Sequence, residues 1–362
     1  MVGKIAKNST RAKEALLYKK LQDKKVRCNN CAHYCVISSG ERGICGVREN
    51  KGGSLYSLVY GKAVACHIDP IEKKPFFHFL PGTYSLSVAA VGCNLACPWC
   101  QNYDISQEPK PNQEIIGEDL QPEEIVNLAK KNKLPSISYT YTEPTIFLEY
   151  ALDTMKLAKK EGIKNTWVTN GFLSKEAFEA VAPYLDAANV DLKGWTDDFY
   201  KKHCKARLQP ILDTLIRMKN PKGSRRDGTY EAGKKIWVEV TTLIVPTFND
   251  NENWFREIAN FIKKELGPET PWHVTKFSGL ISWQTKDLRD TPIETIEKAY
   301  KIGKEAGLKY VYTGNIPNIP SEDTFCSKCG ALSIDRTNYA IHRYDKAGKC
   351  PKCGKSLDLI LS

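Results

Sequence analysis

The most reactive pattern in this sequence is a set of three cysteines in the stretch GCNLACPWCQN. Cys93, Cys97 and Cys100 place three thiols within eight residues, in a CxxxCxxC spacing. A structural zinc site normally takes four protein ligands, and His78 is the one further Cys or His within twenty residues on either side. A cuboid iron–sulfur cluster accommodates three cysteines, because its fourth iron is then left open for another ligand. The spacing therefore favours a cluster over the alternative, a degenerate zinc knuckle that borrows a remote ligand.

Two further groups of cysteines lie towards the ends of the chain. The C-terminal group forms two CxxCG knuckles separated by twenty residues, which is typical of a rubredoxin-like zinc ribbon, with an iron-bearing rubredoxin site as the alternative. The spacings of the N-terminal group do not give paired knuckles. That group is predicted to hold a structural zinc, since so small a module has little core, or a second iron–sulfur cluster for electron relay. The C-terminal group is Cys326, Cys329, Cys350 and Cys353, and the N-terminal group is Cys28, Cys31, Cys35 and Cys45.

The composition is that of a globular protein without membrane or secretory segments. Of its 362 residues, 41% are hydrophobic, which is enough for a full-sized core. No run of eighteen apolar residues predicts a transmembrane helix, and the charged start lacks the apolar region of a secretory signal. We therefore expect a cytoplasmic protein whose cysteines bind metal rather than form disulfides. The net charge of +11 suits a nucleic-acid partner such as RNA, although a solvated lysine-rich surface is the simpler interpretation.

The sequence divides by composition into three segments. Residues 1–60 hold a charged, helix-like lead and the first cysteine group, residues 61–320 alternate strand-like and helix-like stretches, and residues 321–362 carry the zinc-ribbon pattern. The alternation in the middle segment predicts βαβ units and a parallel sheet, as a half-open α/β barrel or a flat doubly wound sheet. The predicted strands are 85–92, 136–141, 165–171, 187–194, 235–246, 272–278 and 309–315, and the predicted helices are 122–132, 144–162, 174–185, 196–219, 252–266 and 292–307.

Polar residues near the strand ends distinguish the two architectures. Groups that converge from many strand ends are typical of a barrel's mouth, whereas a doubly wound sheet gathers them at one switch point. We therefore predict a partial barrel. The residues expected at, just beyond or inside the C-terminal half of successive strands are Cys93, Glu143, Asn170, Asp191, Lys193 and His273. The sequence also predicts where several helices begin and end. Ser174 and Thr196 are predicted N-caps, and Gly162 and Gly307 are predicted to follow helix C-termini.

The CxxxCxxC loop, with Trp99 just before its last cysteine, resembles the signature of the radical S-adenosylmethionine (SAM) superfamily. The resemblance implies a partial (β/α)6 TIM-type barrel and a [4Fe–4S] cluster on the three cysteines, which would be the catalytic residues. It also implies that SAM binds the open iron and that one electron cleaves it to a 5′-deoxyadenosyl radical. The cofactors supply that chemistry, while the protein orients them.

The same resemblance assigns seven residues to the cofactor. Trp99 would pack near the adenine, or it is a plain core tryptophan. Glu143 lies in YTEP, which is similar to the family's GGEP segment apart from its glycines, and would receive the methionyl ammonium. The alternative for Glu143 is a helix N-terminal carboxylate that complements the dipole. The other expected contacts are Asn102 beside the cluster, Asn170 at the ribose or carboxylate, the Asp191–Lys193 ion pair at the cofactor, and His273 near the ribose or as a structural histidine.

Longer matching segments, spread over roughly residues 25–355, make the resemblance more specific. The segments VTNGF, DLKG, EVTTLIVPTFND, PWHVTKF and YVYTGNIP, together with the two cysteine-rich motifs before them, resemble the radical enzyme of the AmmeMemoRadiSam system. That group is related to pyruvate formate-lyase-activating enzyme. The resemblance implies an activase-like enzyme that abstracts hydrogen from a protein glycyl site or a small metabolite. It also implies a low-potential electron donor of the ferredoxin or flavodoxin type, and Memo-type and AMME-type partners.

Two other functions stay open at this point. The basic charge and the terminal ribbon suit a radical enzyme that modifies RNA, such as tRNA. From a different class, the cysteine groups alone suit a non-catalytic scaffold that binds metal or transfers electrons. Neither the substrate nor the oligomeric state follows from these motifs.

Overall fold

An eight-stranded sheet forms the centre of the computed structural model, which describes residues 12–108, 110, 114–219, 235–316, 320–337 and 339–362. The strand Ala65–Pro70 lies at one edge and pairs antiparallel with its neighbour. The other seven strands are parallel, which confirms the predicted parallel sheet. In chain order, first to seventh, they are Tyr84–Ala89, Ser136–Tyr139, Lys164–Thr169, Ala187–Asp191, Trp237–Ile244, Trp272–Lys276 and Val311–Gly314.

The spatial order of the strands follows their order in the chain. A doubly wound sheet would reverse direction at a switch point, and this sheet does not. The order therefore fits a singly wound sheet of the kind that forms barrels. All seven predicted strands are present, one more than the (β/α)6 barrel that the resemblance implies, because Val311–Gly314 follows one more helix and continues the same right-handed pattern.

Helices connect the parallel strands, as predicted. The long helix expected over 196–219 is broken: its first part ends at Lys205, which has a φ of +57°. Pro210 then stands at the start of the next helix, where a missing amide hydrogen costs little. The α-helices are Tyr103–Ser106, Pro122–Lys131, Leu148–Lys160, Lys175–Val181, Asp197–Phe199, Gln209–Lys219, Glu252–Phe261 and Ile293–Glu305. Short 3₁₀ turns span Ile71–Lys73, Pro144–Phe147, Gly279–Ile281 and Pro320–Glu322, and π-helical turns span Tyr200–Cys204 and Ile262–Leu266.

The predicted helix ends are confirmed. The Ser174 hydroxyl accepts a hydrogen bond from the Ala177 amide at 2.9 Å, and the Thr196 hydroxyl accepts one from Phe199 at 3.2 Å. Each cap satisfies an amide that the first helical turn leaves without a partner. Gly162 and Gly307 have φ values of +74° and +95°, in the left-handed region that ends many helices.

The predicted helical lead is wrong for the residues that the structure describes, and residues 1–11 lie outside them. Lys13–Glu14 pairs with the strand Ser54–Ser57, and Tyr18–Lys20 pairs with Val26–Cys28. One pairing with a distant strand and one with a nearby strand override the helical propensity of this charged stretch. The other short strands of this module are Val36–Ile37 and Arg48–Lys51, and Lys62–Ala63 pairs with Glu118–Asp119. Its own core is small, as expected, and consists of Ala15, Val26, Cys28, Ile37 and Leu55.

The C-terminal segment packs against the connection between the antiparallel edge strand and the first parallel strand, residues 71–83. Its strands are Thr324–Phe325, Leu332–Thr337 and Ala340–Arg343. The Ile360 amide donates to the carbonyl of His78 in that connection. The His78 ring in turn bonds through Nε2 to the Tyr312 hydroxyl of the seventh strand at 2.7 Å. His78 therefore links the C-terminal segment to the seventh strand.

Within the described parts of the chain, we find no helix with the length and apolar character that crossing a bilayer requires.

We predict that His78 makes the fold sensitive to acid. Burial lowers the pKa of His78 to about 4. Between about pH 6.5 and pH 4 the unfolded chain therefore binds a proton that the folded chain does not, so stability is lost as the pH falls. Over that window His78 accounts for about 3 kcal/mol of unfolding free energy. Denaturant titrations at pH 7 and pH 4.5 should show a smaller loss for His78→Gln than for the wild type.

The matched control is His342→Gln, because His342 lies on an exposed strand. It should keep the full pH dependence of the wild type. An equal loss of stability in His78→Gln and the wild type would contradict this role for His78.

Candidate functional site

The cysteine loop leaves the sheet directly after the first parallel strand. Gly92 makes the turn with a φ of +98°, a backbone conformation that favours glycine. A Cβ on Gly92 would lie 2.8 Å from the carbonyl oxygen of Cys45, so the N-terminal module packs closely against the turn. Half-buried Cys93, buried Cys97 and half-buried Cys100 follow. The three thiols therefore lie at the carboxyl edge of the sheet, as predicted.

Hydrogen-bond donors surround two of the sulfurs. The Leu95 amide donates to Cys93 Sγ at 3.4 Å, and Asn170 Nδ2 lies 3.8 Å from the same sulfur. The Cys100 sulfur lies 3.2 Å from the Ser106 hydroxyl. Donors of this kind stabilise the thiolate, which is the form that binds metal.

Burial opposes ionisation of the same thiols. It raises the pKa of Cys93 to about 12, although the Lys110 ammonium acts in the opposite direction. A hydrogen bond with Cys204, together with burial, holds the pKa of Cys97 well above its ordinary value, and Lys193 opposes that shift. Thiols in such surroundings stay protonated unless a metal compensates their charge. Metal binding at the loop would therefore release these protons.

The spacing of the sulfurs fits a cluster better than a single ion. A zinc–sulfur bond of about 2.3 Å sets tetrahedral sulfurs about 3.8 Å apart. Among the described residues, Cys93, Cys97 and Cys100 do not form a group whose ligand atoms all lie within 4.8 Å of one another. In an iron–sulfur cluster each cysteine binds a different iron, which requires wider spacing. The three cysteines thus fit the predicted [4Fe–4S] cluster.

Glu143 lies just beyond the second strand and is 1% exposed. Its Oε1 accepts hydrogen bonds from the Thr145 amide at 3.1 Å, the Thr145 hydroxyl at 2.5 Å and the Thr169 hydroxyl at 2.8 Å. Its Oε2 accepts the Asn170 amide at 2.8 Å. Burial raises the pKa of Glu143, and these bonds limit the rise. The carboxylate caps the turn Pro144–Phe147, which was the alternative role, and it also joins the ends of two strands.

Asn170 ties the end of the third strand to the cysteine loop. Its Nδ2 donates to Asn94 Oδ1 at 2.8 Å, and Asn94 directly follows Cys93. Asn102, just after the loop, donates from Nδ2 to the carbonyl oxygen of Tyr141 at 2.8 Å. The two asparagines therefore hold the loop between the second and third strands.

Asp191 and Lys193 form an ion pair of 2.6 Å at the end of the fourth strand. Although burial disfavours the charged ammonium, Asp191 and the Cys97 thiol hold the pKa of Lys193 well above its ordinary value. The Asp191 side chain is 34% exposed, so the pair is accessible to a ligand. This ion pair lies close to Cys97.

Trp99 is buried in a group of aromatic rings. Its ring stacks on Phe199 with centroids 5.6 Å apart and meets Phe248 edge-on at 5.2 Å. With 2% exposure it fills the core position that was the alternative to an adenine contact. The adenine contact stays a prediction.

His273 was expected in the C-terminal half of its strand, and that placement is wrong. It is the second residue of Trp272–Lys276, although it registers with Thr241 and, one strand further, with Asp191. Its Nε2 bonds to the buried Glu239 carboxylate at 2.7 Å. The sixth strand begins at Trp272, as predicted, and its register places His273 level with Asp191, the last residue of the fourth strand.

A cavity of about 230 Å³ lies between this part of the sheet and the C-terminal segment. His273 and Thr275 line it from the sheet, and Arg336 lines it from the C-terminal segment. Glu72 and Glu322 add acidic groups, and burial raises the pKa of Glu322 to about 7. The cavity therefore carries both signs of charge.

The four C-terminal cysteines converge as the ribbon pattern predicts. Their sulfurs all lie within 4.8 Å of one another, with 3.6 Å between Cys326 and Cys353 and 3.5 Å between Cys329 and Cys350. These distances suit one tetrahedral metal ion. The N-terminal cysteines line one small cavity without converging in this way among the described residues.

Sequence reasoning missed two residues at the loop and one acid within the sheet. Cys204 lies against Cys97. Lys110 donates to the Leu95 carbonyl at 2.8 Å, inside the loop. Glu239 is fully buried and could have been noticed as a lone acid in the apolar strand WVEVTTLI.

We predict that Gly92→Ala empties the cysteine loop of iron. A side chain at this φ costs about 1–3 kcal/mol, and the new Cβ would also meet the Cys45 carbonyl at 2.8 Å. The turn must then move, and the cysteines with it. Iron and zinc analysis of anaerobically reconstituted protein should show less iron than in the wild type, with zinc retained.

Gly162→Ala is the matched control, because Gly162 also has a positive φ but no atom lies within 4 Å of the place that a Cβ would take there. It should keep its iron. Full iron content in Gly92→Ala would show that the turn does not hold the loop.

Comparison with known proteins shows which family this chain resembles. Residues 87–262 match the sequence model of the family described as "Radical SAM superfamily". Over 352 residues the chain is 46% identical to uncharacterized protein MJ0808 of Methanocaldococcus jannaschii, covering 96% of this chain and 100% of that protein. It is 25% identical to pyruvate formate-lyase-activating enzyme of Clostridium pasteurianum, over 59% of this chain and 87% of that enzyme. A crystal structure of a radical SAM methyltransferase from Sphaerobacter thermophilus matches with a TM-score of 0.48 and 15% identity, over 70% of this chain and 71% of that one. The chain belongs to the radical SAM superfamily.

Proposed function

We propose that this protein is an activase-like radical SAM enzyme that cleaves SAM reductively and abstracts hydrogen from its substrate. Cys93, Cys97 and Cys100 would hold the [4Fe–4S] cluster. The observation that carries the proposal is the convergence of the cysteine loop with Glu143 and Asn170 at neighbouring strand ends. When bound, the cluster supplies the electron for cleavage of SAM, and the protein supplies orientation and a dry site.

Glu143 is suited to hold the methionyl ammonium. Thr145 and Thr169 occupy Oε1 with three hydrogen bonds, which fixes the carboxylate. Among the bonds of the described residues, Oε2 accepts one, from Asn170, and an sp² carboxylate oxygen can accept two. An ammonium there would form a charge-assisted bond in buried surroundings and would offset the cost of burying the carboxylate.

The remaining contacts extend around the sheet edge. The Asp191–Lys193 pair is adjacent to Cys97, so it would meet the polar groups of a cofactor bound at the loop. Asn102 would keep the loop in register with the second strand. A ribose contact by His273 would use Nδ1, since Nε2 is bonded to Glu239. Trp99 would pack against the cysteine loop from the protein core, and the edge of its ring would contact the adenine.

The substrate would be a protein glycyl site or a small metabolite. The mixed charges of the cavity beside His273 suit a ligand that carries both an anionic and a cationic group. A low-potential protein of the ferredoxin or flavodoxin type would supply electrons. Memo-type and AMME-type proteins would be partners if the AmmeMemoRadiSam resemblance extends to function, and we expect the work to take place in the cytoplasm.

The proposal predicts SAM cleavage that depends on the cysteine loop. Anaerobically reconstituted wild-type protein, reduced with dithionite and given SAM, should form 5′-deoxyadenosine. Cys97→Ala should form none, because a cluster held by two cysteines loses the geometry that SAM requires. Chromatography of the quenched reactions measures the product.

Cys66→Ala is the control, since Cys66 lies outside all three cysteine groups. It should match the wild type. If wild-type protein with full iron content formed no 5′-deoxyadenosine, the non-catalytic scaffold would replace the proposed enzyme.

A further inference from the structure

We propose that the four N-terminal cysteines bind an iron–sulfur cluster of their own, next to the cysteine loop. The site consists of Cys28, Cys31, Cys35 and Cys45. The sequence leaves both zinc and iron–sulfur open for this group, and the arrangement of the side chains distinguishes them.

The four thiols line one small cavity. Cys28, Cys31 and Cys45 are at most 9% exposed, and Cys35 is half-buried. Among the described residues, no three of these sulfurs lie within 4.8 Å of one another. Four thiols that surround a cavity without contacting one another suit a bound group that is larger than a single metal ion.

The C-terminal cysteines provide an internal comparison. There, four sulfurs of the same chain lie within 4.8 Å, as a single tetrahedral ion requires. The N-terminal group shares its wider spacing with Cys93, Cys97 and Cys100, the loop that marks the superfamily. The N-terminal group and the cysteine loop, with their wider spacing, suit clusters in which each cysteine binds a separate iron. The C-terminal group, with its closer spacing, suits zinc.

Arg48 is a second, independent observation. Its side chain is 1% exposed and lines the same cavity. Two of its nitrogens bond to Glu149, at 3.1 Å and 2.5 Å, but its Nε has no hydrogen-bond partner among the described atoms. A buried donor without a partner is costly, and an anionic cluster with its sulfides would satisfy it.

The N-terminal site lies directly against the cysteine loop. The Cys45 carbonyl packs on Gly92, whose neighbour in the chain is Cys93. On the other side, His33 Nε2 lies 2.7 Å from the Asn94 carbonyl oxygen. Backbone contacts therefore join the two metal sites on both sides of Cys93.

This adjacency suits electron relay, an inference that rests on the proposed function. The reduced N-terminal cluster would give up one electron, and the cluster on the cysteine loop would gain it before SAM is cleaved. A ferredoxin- or flavodoxin-type donor would then reduce the N-terminal cluster again with one electron. No atoms are transferred in either step.

Metal analysis tests the site directly. Wild-type protein reconstituted without oxygen should hold about eight iron and about eight sulfide per chain, with about one zinc. Because a cuboid cluster tolerates three cysteines, the variant removes two: Cys31→Ala/Cys35→Ala should lose half of the iron and keep its zinc. Retained zinc shows that the C-terminal segment is still folded.

A second variant separates this inference from the proposed function. Cys97→Ala/Cys100→Ala should keep half of the iron, with an electron paramagnetic resonance signal that does not respond to SAM. An iron-free Cys97→Ala/Cys100→Ala protein, or a second zinc in the wild type, would overturn the N-terminal cluster. Full iron in a wild type that fails to cleave SAM would overturn the proposed function and leave the cluster standing.

Electron relay through the N-terminal cluster can be tested separately, by the electron donor that supports 5′-deoxyadenosine formation. With flavodoxin as the donor, Cys31→Ala/Cys35→Ala should lose 5′-deoxyadenosine formation, while dithionite should restore it by reaching the loop directly. Equal formation by variant and wild type with flavodoxin would overturn the relay.

Discussion

A buried thiolate is stable only where a metal or a positive charge compensates it, and this constraint organises the whole molecule. The three groups of cysteines satisfy this requirement differently. Lys110 and Lys193 lie beside the cysteine loop, and Arg48 lies beside the N-terminal group. The C-terminal cysteines instead converge on one point. Without metal the buried thiols have raised pKa values, so metal binding and folding are coupled in these regions.

The parallel sheet brings the loop's partners together. Strand ends that are far apart in sequence meet at one edge, so Glu143 can bond to Asn170 and Asn170 to Asn94. Each of these bonds also satisfies a polar group that is buried at this edge. The bonds that tie the cysteine loop to the strand ends therefore also stabilise the edge of the sheet.

The two cysteine modules lie on different parts of this sheet. The N-terminal module packs against the turn at Gly92, beside the first strand. The C-terminal segment packs against His78, which bonds to Tyr312 of the seventh strand, and Arg336 donates to the Phe77 carbonyl at 2.7 Å. One module thus supports the cysteine loop, and the other forms a wall of the charged cavity.

Local spacing by itself determined the cysteine loop, the ribbon knuckles, the seven parallel strands and the capped helix ends, because each depends on residues close in the chain. Tertiary structure alone decided three other matters. The charged lead forms strands because Ser54–Ser57 and Val26–Cys28 are available as pairing partners. His273 lies level with Asp191 and bonds to Glu239 because the register of neighbouring strands brings these residues together. Cys204 meets Cys97 across more than a hundred residues, and such contacts arise from packing, which no local pattern encodes.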